Sequence, residues 1–272
     1  MSTATRAAPG DGAPGLRRIG SVTILGVAYD NVTRAEAIDA LERYVAEGRP
    51  RMVCTPNAEH VMLARRDAEF RAILRRADLV VSDGMGVTYA SRVLGTPLRQ
   101  NVSGRLLVGE LAARWALLGR RVFFVGGRSG TDADRAAQRL MARCPGLVVC
   151  GSYTPPFADR FDAAESSRIV GAVNAARPDV LLVCLGAPKQ EKWIAANLDR
   201  LAVPVSIGVG AALDYLAGTL REPPRWVSRV GLEWLWRLAQ EPRRLWRRYL
   251  VDGLRFVGLV LLARLRRRDA PT

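Results

Sequence analysis

The chain has 272 residues, 49% of them hydrophobic and 25% charged, a balance that excludes a disordered chain and leaves length for a sizeable core. The formal net charge of +15 points to anionic partners, either nucleic acid or a membrane face. His60 is the only histidine, which excludes a histidine-based metal cluster. The four cysteines (Cys54, Cys144, Cys150 and Cys184) show no CxxC spacing, as expected of buried free thiols in a reducing compartment.

Residues 1–19 are rich in Ala, Pro and Gly and lack an apolar run, so they read as a disordered tail and not a signal peptide. From residue 20 onward, short apolar runs alternate with helical patterns. The candidate strands are "SVTILGVAY", "PRMVCTPN", "DLVVSD", "RVFFVGG", "GLVVCGSY", "DVLLVCLG" and "VPVSIGVG". After the first, "TRAEAIDALERYVAEG" sets Ala37, Ile38, Leu41, Tyr44 and Val45 on one helical face. "AEHVMLARRDAEFRAILRRA" reads as a second helical segment with Val61, Phe70, Ile73 and Leu74 inward. The strands are apolar without alternation, as expected when helices cover both faces of a sheet. The order predicts parallel βα units: a Rossmann-like α/β core over 20–220, in two lobes at about 20–115 and 120–220.

Strand signals stop at residue 220. Residues 221–272 hold 13 Arg against 5 Asp and Glu, and four of the six Trp. Leu232, Leu235, Trp236, Leu245, Trp246 and Tyr249 recur at helical spacing, with Arg237, Arg243, Arg244, Arg247 and Arg248 between them. Pro242 marks a helix restart. This predicts a basic, amphipathic helical appendage suited to an anionic membrane surface, with packing on the core or on another protomer as the alternative. No stretch reaches the roughly 18 uninterrupted apolar residues that a membrane span needs. Arg interleaved with Leu and Trp, without a known nucleic-acid module, argues against nucleic acid as the partner.

Ligands of open parallel sheets bind at the carboxyl ends of strands. "CTPNAEH" ends one strand with Thr55, Asn57 and Glu59. "VSDGMG" ends another with Asp83, which is either a turn or cap residue or a general base that Gly84 and Gly86 leave open to a ligand. "VGGRSGTDADR" is a phosphate cradle or an ordinary tight turn. It matches neither GxGxxG nor a P-loop, and "GVGAALDYLAG" lacks the third glycine, which disfavours a nicotinamide cofactor. Asp132 and Asp134 suit either a divalent cation against a diphosphate or the first turn of a helix. "CLGAPKQEKW" offers Gly186, Lys189 and Gln190, while His60 reads as incidental.

Together these motifs resemble the WecG/TagA/CpsF family of bacterial glycosyltransferases. The stretches that carry the resemblance are "TPNAEHVMLARRDAEFRAILRRADLVVSDGMGV", "FFVGG", "PDVLLVCLGAPKQEKWI", "GVGAALDYLAG" and "GLEWLWRLAQEPRRLWRRYL", in order from about residue 20 to 250. The resemblance implies inverting transfer of a sugar from a UDP-sugar to a polyprenyl-diphosphate-linked saccharide in cell-surface polysaccharide synthesis, without a metal or other cofactor. The sugars seen in the family include N-acetylmannosamine, its uronic acid and other hexoses. The family's base corresponds to Asp83, with Ser82 replacing the usual proline. Thr55 and Asn57 fall in the sugar and acceptor pocket with Gly84, and Gln190 and Glu191 match P-x-Q-E. The nucleotide and its diphosphate are then expected at Gly126, Gly127, Gly186 and Lys189, at Gly208 and Gly210, and at Arg221 or Arg225. Asn101 and Leu106 depart from the Arg and Asp common in members, and Glu222 departs from a basic residue. The implied location is the cytoplasmic face of the cell membrane, peripherally bound, with a homo-oligomer left open. A nucleotide-sugar-modifying enzyme without a lipid acceptor is the competing enzymatic reading.

Overall fold

The computed structural model describes residues 20–127, 130–158 and 160–268; the tail expected at 1–19 lies outside them. The chain opens with β1 (Val22–Ile24), β2 (Val27–Tyr29), α1 (Arg34–Glu47), β3 (Arg51–Cys54), α2 (Ala58–Arg66), α3 (Ala68–Arg76) and β4 (Leu79–Val80). It continues through α4 (Met85–Val93), α5 (Gly104–Leu118), β5 (Arg121–Gly126), α6 (Gly130–Arg143), β6 (Val148–Tyr153), α7 (Ala163–Ala176) and β7 (Val180–Cys184). It then forms α8 (Lys189–Asn197), β8 (Val205–Gly208) and α9 (Ala212–Ala217), followed by α10 (Arg225–Arg229), α11 (Glu233–Gln240), α12 (Pro242–Trp246) and α13 (Gly253–Arg268).

Six strands form one parallel sheet in the order β4-β3-β8-β7-β5-β6. Both expected lobes contribute strands to it, and they join where β3 pairs with β8. Period-2 alternation sorts the strand side chains between two cores. Met52, Cys54, Phe123, Val125, Leu181 and Val183 face one, with α2, α3, α4, α7 and α8. Val53, Val122, Phe124, Val180, Leu182 and Ile207 face the other, with α1, α5, α6 and α9. Burial on both sides is why these strands read as unbroken apolar runs.

Two expected elements are divided. "SVTILGVAY" is not one strand but an antiparallel hairpin, because Leu25 (φ 47) and Gly26 (φ 92) both adopt positive φ and make a two-residue turn. The segment 58–77 is not one helix: Asp67 closes α2 and caps α3, its Oδ1 accepting from the Phe70 N–H at 2.9 Å. By contrast α1 follows its sequence signals, with a Thr33–Glu36 capping box at one end and left-handed Gly48 at the other.

The C-terminal helices pack on the core and also leave an apolar face in solvent. Leu245, Phe256 and Val260 are buried, Arg248 pairs with Glu59 at 2.8 Å and Arg66 with Asp252 at 2.6 Å. Trp226, Trp234, Leu235, Trp246, Leu254, Val257, Leu261 and Leu265 remain exposed. Among the described residues, no helix is long and apolar enough to cross a membrane.

The end of β5 is tightly packed. Gly126 has φ 132, and a Cβ there would sit 2.5 Å from the Cys184 carbonyl oxygen. Gly126→Ala is therefore expected to destabilise the fold by about 2 kcal/mol or more. Gly171→Ala, at an open helical position in α7, is expected to stabilise it by up to about 1 kcal/mol. Denaturant midpoints of the two variants check the contrast.

Candidate active site

The site follows from strand register. Cys54 pairs with Val80 on one side and Gly208 on the other, and Gly208 pairs with Val183. β4, β3, β8 and β7 therefore end at one level. Adjacent β3 and β8 send their following helices, α2 and α9, to opposite faces of the sheet, which opens a crevice between their carboxyl ends.

Backbone and side-chain bonds draw the loops above these ends together. The Thr55 hydroxyl donates to the Gly208 carbonyl at 2.9 Å. The Asp83 N–H donates to the Pro56 carbonyl at 3.2 Å, and the Gly210 N–H to Gln190 Oε1 at 3.1 Å. A Cβ at Gly208 would lie 2.8 Å from Gln190 Nε2, and one at Gly104 would lie 3.1 Å from Thr55 Oγ1. Asn57 is the N-cap of α2, its Oδ1 accepting from the N–H groups of Glu59 (2.9 Å) and His60 (3.3 Å). Thr55, Asn57, Asp83, Gly84, Gln190, Gly208 and Gly210 are thus one cluster.

Gly84 serves the turn. Its φ is 88 and its N–H donates to Asn101 Oδ1 at 2.9 Å, so the residue noted as a departure at 101 braces the Asp83 loop. A Cβ at Gly86 would rest in ordinary contact, 3.7 Å from that of Ala58.

Asp83 is partly buried, and burial raises its carboxyl above the usual carboxylate range. A hydrogen bond with the Ser103 hydroxyl and the charges of His60 and Arg105 pull it down, whereas Glu233 adds to the rise. The wholly buried Tyr29 phenol is raised by burial first and by the Asp83 charge second. Arg105 pairs with Glu233 at 3.0 Å and lies 5.4 Å from the Tyr215 ring centroid, as does Arg237. The first turns of α5 and of α11 therefore flank Asp83. None of Ser103, Arg105, Tyr29 or Glu233 was singled out from sequence, since no local spacing links them to residue 83.

The remaining candidates are placed around this cluster. Gly126 ends β5 beside Cys184, and Thr154 Oγ donates to its carbonyl at 3.0 Å. Gly127 (φ 113) leads into residues 128 and 129, outside the described residues. The Gly186 carbonyl accepts the Gln190 N–H at 2.9 Å. Lys189 Nζ donates to the Ala158 carbonyl at 2.7 Å and lies over the Phe157 and Phe161 rings. Arg221 engages α11 through its backbone, its N–H donating to Gln240 Oε1 at 2.8 Å and its carbonyl accepting from Trp236 Nε1 at 2.9 Å. The Arg225 side chain lies outside the described residues. Of the D-x-D pair, Asp134 accepts from Ser152 Oγ at 3.0 Å and Asp132 is buried in the first turn of α6.

Comparison with known proteins agrees with this architecture. Residues 22–270 match the family described as "Glycosyl transferase WecG/TagA/CpsF family". Similar proteins include one from Bacillus spizizenii strain W23, 29% identical over 76% of this chain and 77% of its own length. One from Bacillus subtilis strain 168 is 28% identical over 84% and 86%, and one from Staphylococcus aureus strain MW2 is 26% identical over 83% and 87%. All three are named N-acetylglucosaminyldiphosphoundecaprenol N-acetyl-beta-D-mannosaminyltransferase. With the match running from the first hairpin to the last helix, the chain belongs to the WecG/TagA/CpsF family of glycosyltransferases.

Proposed function

We propose that the protein transfers a sugar, with inversion, from a UDP-sugar to a saccharide linked through a diphosphate to a polyprenyl lipid, with Asp83 as general base. The observation that carries this reading is the place of Asp83 at the carboxyl edge of the sheet, its N–H bonded to the Pro56 carbonyl between Thr55 and Asn57 and its carboxyl raised by burial. The acceptor hydroxyl oxygen attacks the anomeric carbon as its proton passes to Asp83. The bond from that carbon to the diphosphate oxygen breaks, and UDP leaves with the electron pair. A base with a raised pKa is a better proton acceptor once ionised. The departing diphosphate gains charge, which a guanidinium or backbone N–H groups stabilise; Arg105, Arg221 and Arg225 are the candidates. The relatives' shared name directs the first assays to N-acetylmannosamine as donor sugar and N-acetylglucosaminyl-diphosphoundecaprenol as acceptor.

Membrane docking belongs to the same proposal. Leu254, Val257, Leu261 and Leu265 share one exposed stripe of α13, and exposed Arg243, Arg244 and Arg247 lie on the preceding turns. Such a surface seats its apolar side chains in the interface while its arginines meet anionic headgroups.

The roles of base and of structural residue separate cleanly for Asp83. A carboxyl raised on folding binds its proton more tightly in the native state, so stability falls as pH rises from its unfolded to its folded value. At neutral pH the ionised group is a cost. Asp83→Asn is therefore expected to lower the transfer rate by about 10²–10⁴-fold with a Tm unchanged or raised. A lower Tm with activity retained would assign Asp83 to the fold instead. In the wild type, kcat/KM is expected to fall on acidification at a pH above the usual aspartate range, measured with the lipid-linked acceptor in detergent.

The triple variant Leu254→Gln, Leu261→Gln, Leu265→Gln is expected to stay folded but to lose co-sedimentation with anionic vesicles. Retained binding, or a loss of self-association instead, would assign the stripe to a protein interface.

A further inference from the structure

His60, incidental by sequence, sits between two groups of the site. Its Nδ1 lies 2.8 Å from Asn57 Oδ1, and its Nε2 lies 3.4 Å from Glu191 Oε1. Glu191 is wholly buried at the start of α8. Its Oε1 accepts from Gln190 Nε2 at 2.7 Å, and its Oε2 has no hydrogen-bond partner. A carboxylate buried with so little compensation calls for a positive or donating neighbour. His60 is the titratable side chain within reach.

The tautomer follows from Asn57. Its Oδ1 already accepts the Glu59 N–H at 2.9 Å, which fixes which end of the carboxamide faces inward. An oxygen so oriented repels a bare ring nitrogen at 2.8 Å, so Nδ1 carries a hydrogen and donates. The Asn57 N–H also approaches Nδ1, at the longer distance of 3.4 Å. Nε2 stands 3.4 Å from Glu191 Oε1 and makes no hydrogen bond. Asn57 Oδ1 is committed to three donors, which leaves its Nδ2 for a ligand.

We infer that His60 is a positioning residue, standing against Glu191 at Nε2 and holding Asn57 through Nδ1–H, so that the Asn57 carboxamide nitrogen is presented to the substrate. The chain runs on from Glu191 through Gln190 to the Gly210 N–H, tying the ends of β3, β7 and β8 into one polar strut. The inference rests on the proposed substrate role of Asn57 and Asp83. His60 is surrounded by Glu191 from α8, Asp83 from the loop after β4 and, 6.0 Å between centroids, the Phe70 ring of α3. Around Asp83 are Ser103, His60, Glu233, Arg105 and Tyr29. His60 pulls the Asp83 carboxyl down, so its loss shifts that group further up.

Because His60 is the only histidine, a protein labelled with ¹⁵N-histidine reports this ring alone. Wild-type protein at pH 8 is expected to show Nδ1 as a protonated nitrogen, and an Nε2–H tautomer with bare Nδ1 would overturn the inference without reference to activity. His60→Gln and Glu191→Gln are each expected to raise the KM for a sugar substrate at least tenfold, more than they lower kcat. His60→Gln also moves the acidic limb of kcat/KM to higher pH. Folded variants with wild-type KM and, for His60→Gln, an unmoved limb would reduce the pair to a core contact. If Asp83→Asn is inactive in the same assay, that outcome removes His60 alone and leaves the transfer reading in place. Should either variant fail to fold, the ring tautomer of the wild type still decides.

Discussion

The lateral register of the parallel sheet is the constraint on which everything else depends. Because Cys54 stands opposite both Val80 and Gly208, and Gly208 opposite Val183, four strands stop together. Parallel ladders leave their last carbonyls and following loops on one edge, where helices on opposite faces diverge and leave room for a ligand. A slip of one residue would turn Val53 out of its core and Met52 and Cys54 out of theirs. The two apolar clusters therefore enforce the alignment that gathers Thr55, Asn57, Asp83 and Gln190. Glycines at 208 and 104 complete it, since any side chain there would push Gln190 or Thr55 away.

The cluster concentrates polar groups in a setting that penalises them. Asp83 is raised by burial, Glu191 is wholly enclosed, and the hydroxyl of Tyr29 lacks a hydrogen-bond partner. Such groups weaken a fold unless their neighbours compensate, and for Asp83 the compensation comes from Ser103, His60 and Arg105. The C-terminal helices add Glu233 and Arg237 next to the same ring of Tyr215 that Arg105 covers. The appendage touches the site with one face and exposes Trp and Leu on another.

Much of this was legible in the sequence, for physical reasons. Strands buried on both faces announce themselves as apolar runs, and the residues just beyond them, Thr55, Asn57, Asp83 and Gln190, were legible because strand ends are where parallel sheets bind ligands. The family resemblance added the order of motifs. What escaped was whatever depends on φ or on distant contacts. The positive φ of Leu25 broke an expected strand into a hairpin, and Asp67 broke an expected helix because a cap interrupted its pattern. Ser103, Arg105 and Glu233 lie 20, 22 and 150 residues from Asp83 along the chain, and only packing joins them. His60 was passed over because a lone histidine in a helix carries no spacing signal, and its meaning comes from a glutamate 131 residues away.

Asp83 is the group proposed to activate the acceptor hydroxyl. The most direct measurement is a structure of the full chain with UDP and a short-chain analogue of the lipid-linked acceptor bound together. The nucleophilic hydroxyl is expected within about 3 Å of the Asp83 carboxylate, with the Asn57 carboxamide nitrogen on a sugar oxygen. A nucleophilic hydroxyl held well away from Asp83, with another carboxylate or histidine at hydrogen-bond distance, would contradict it.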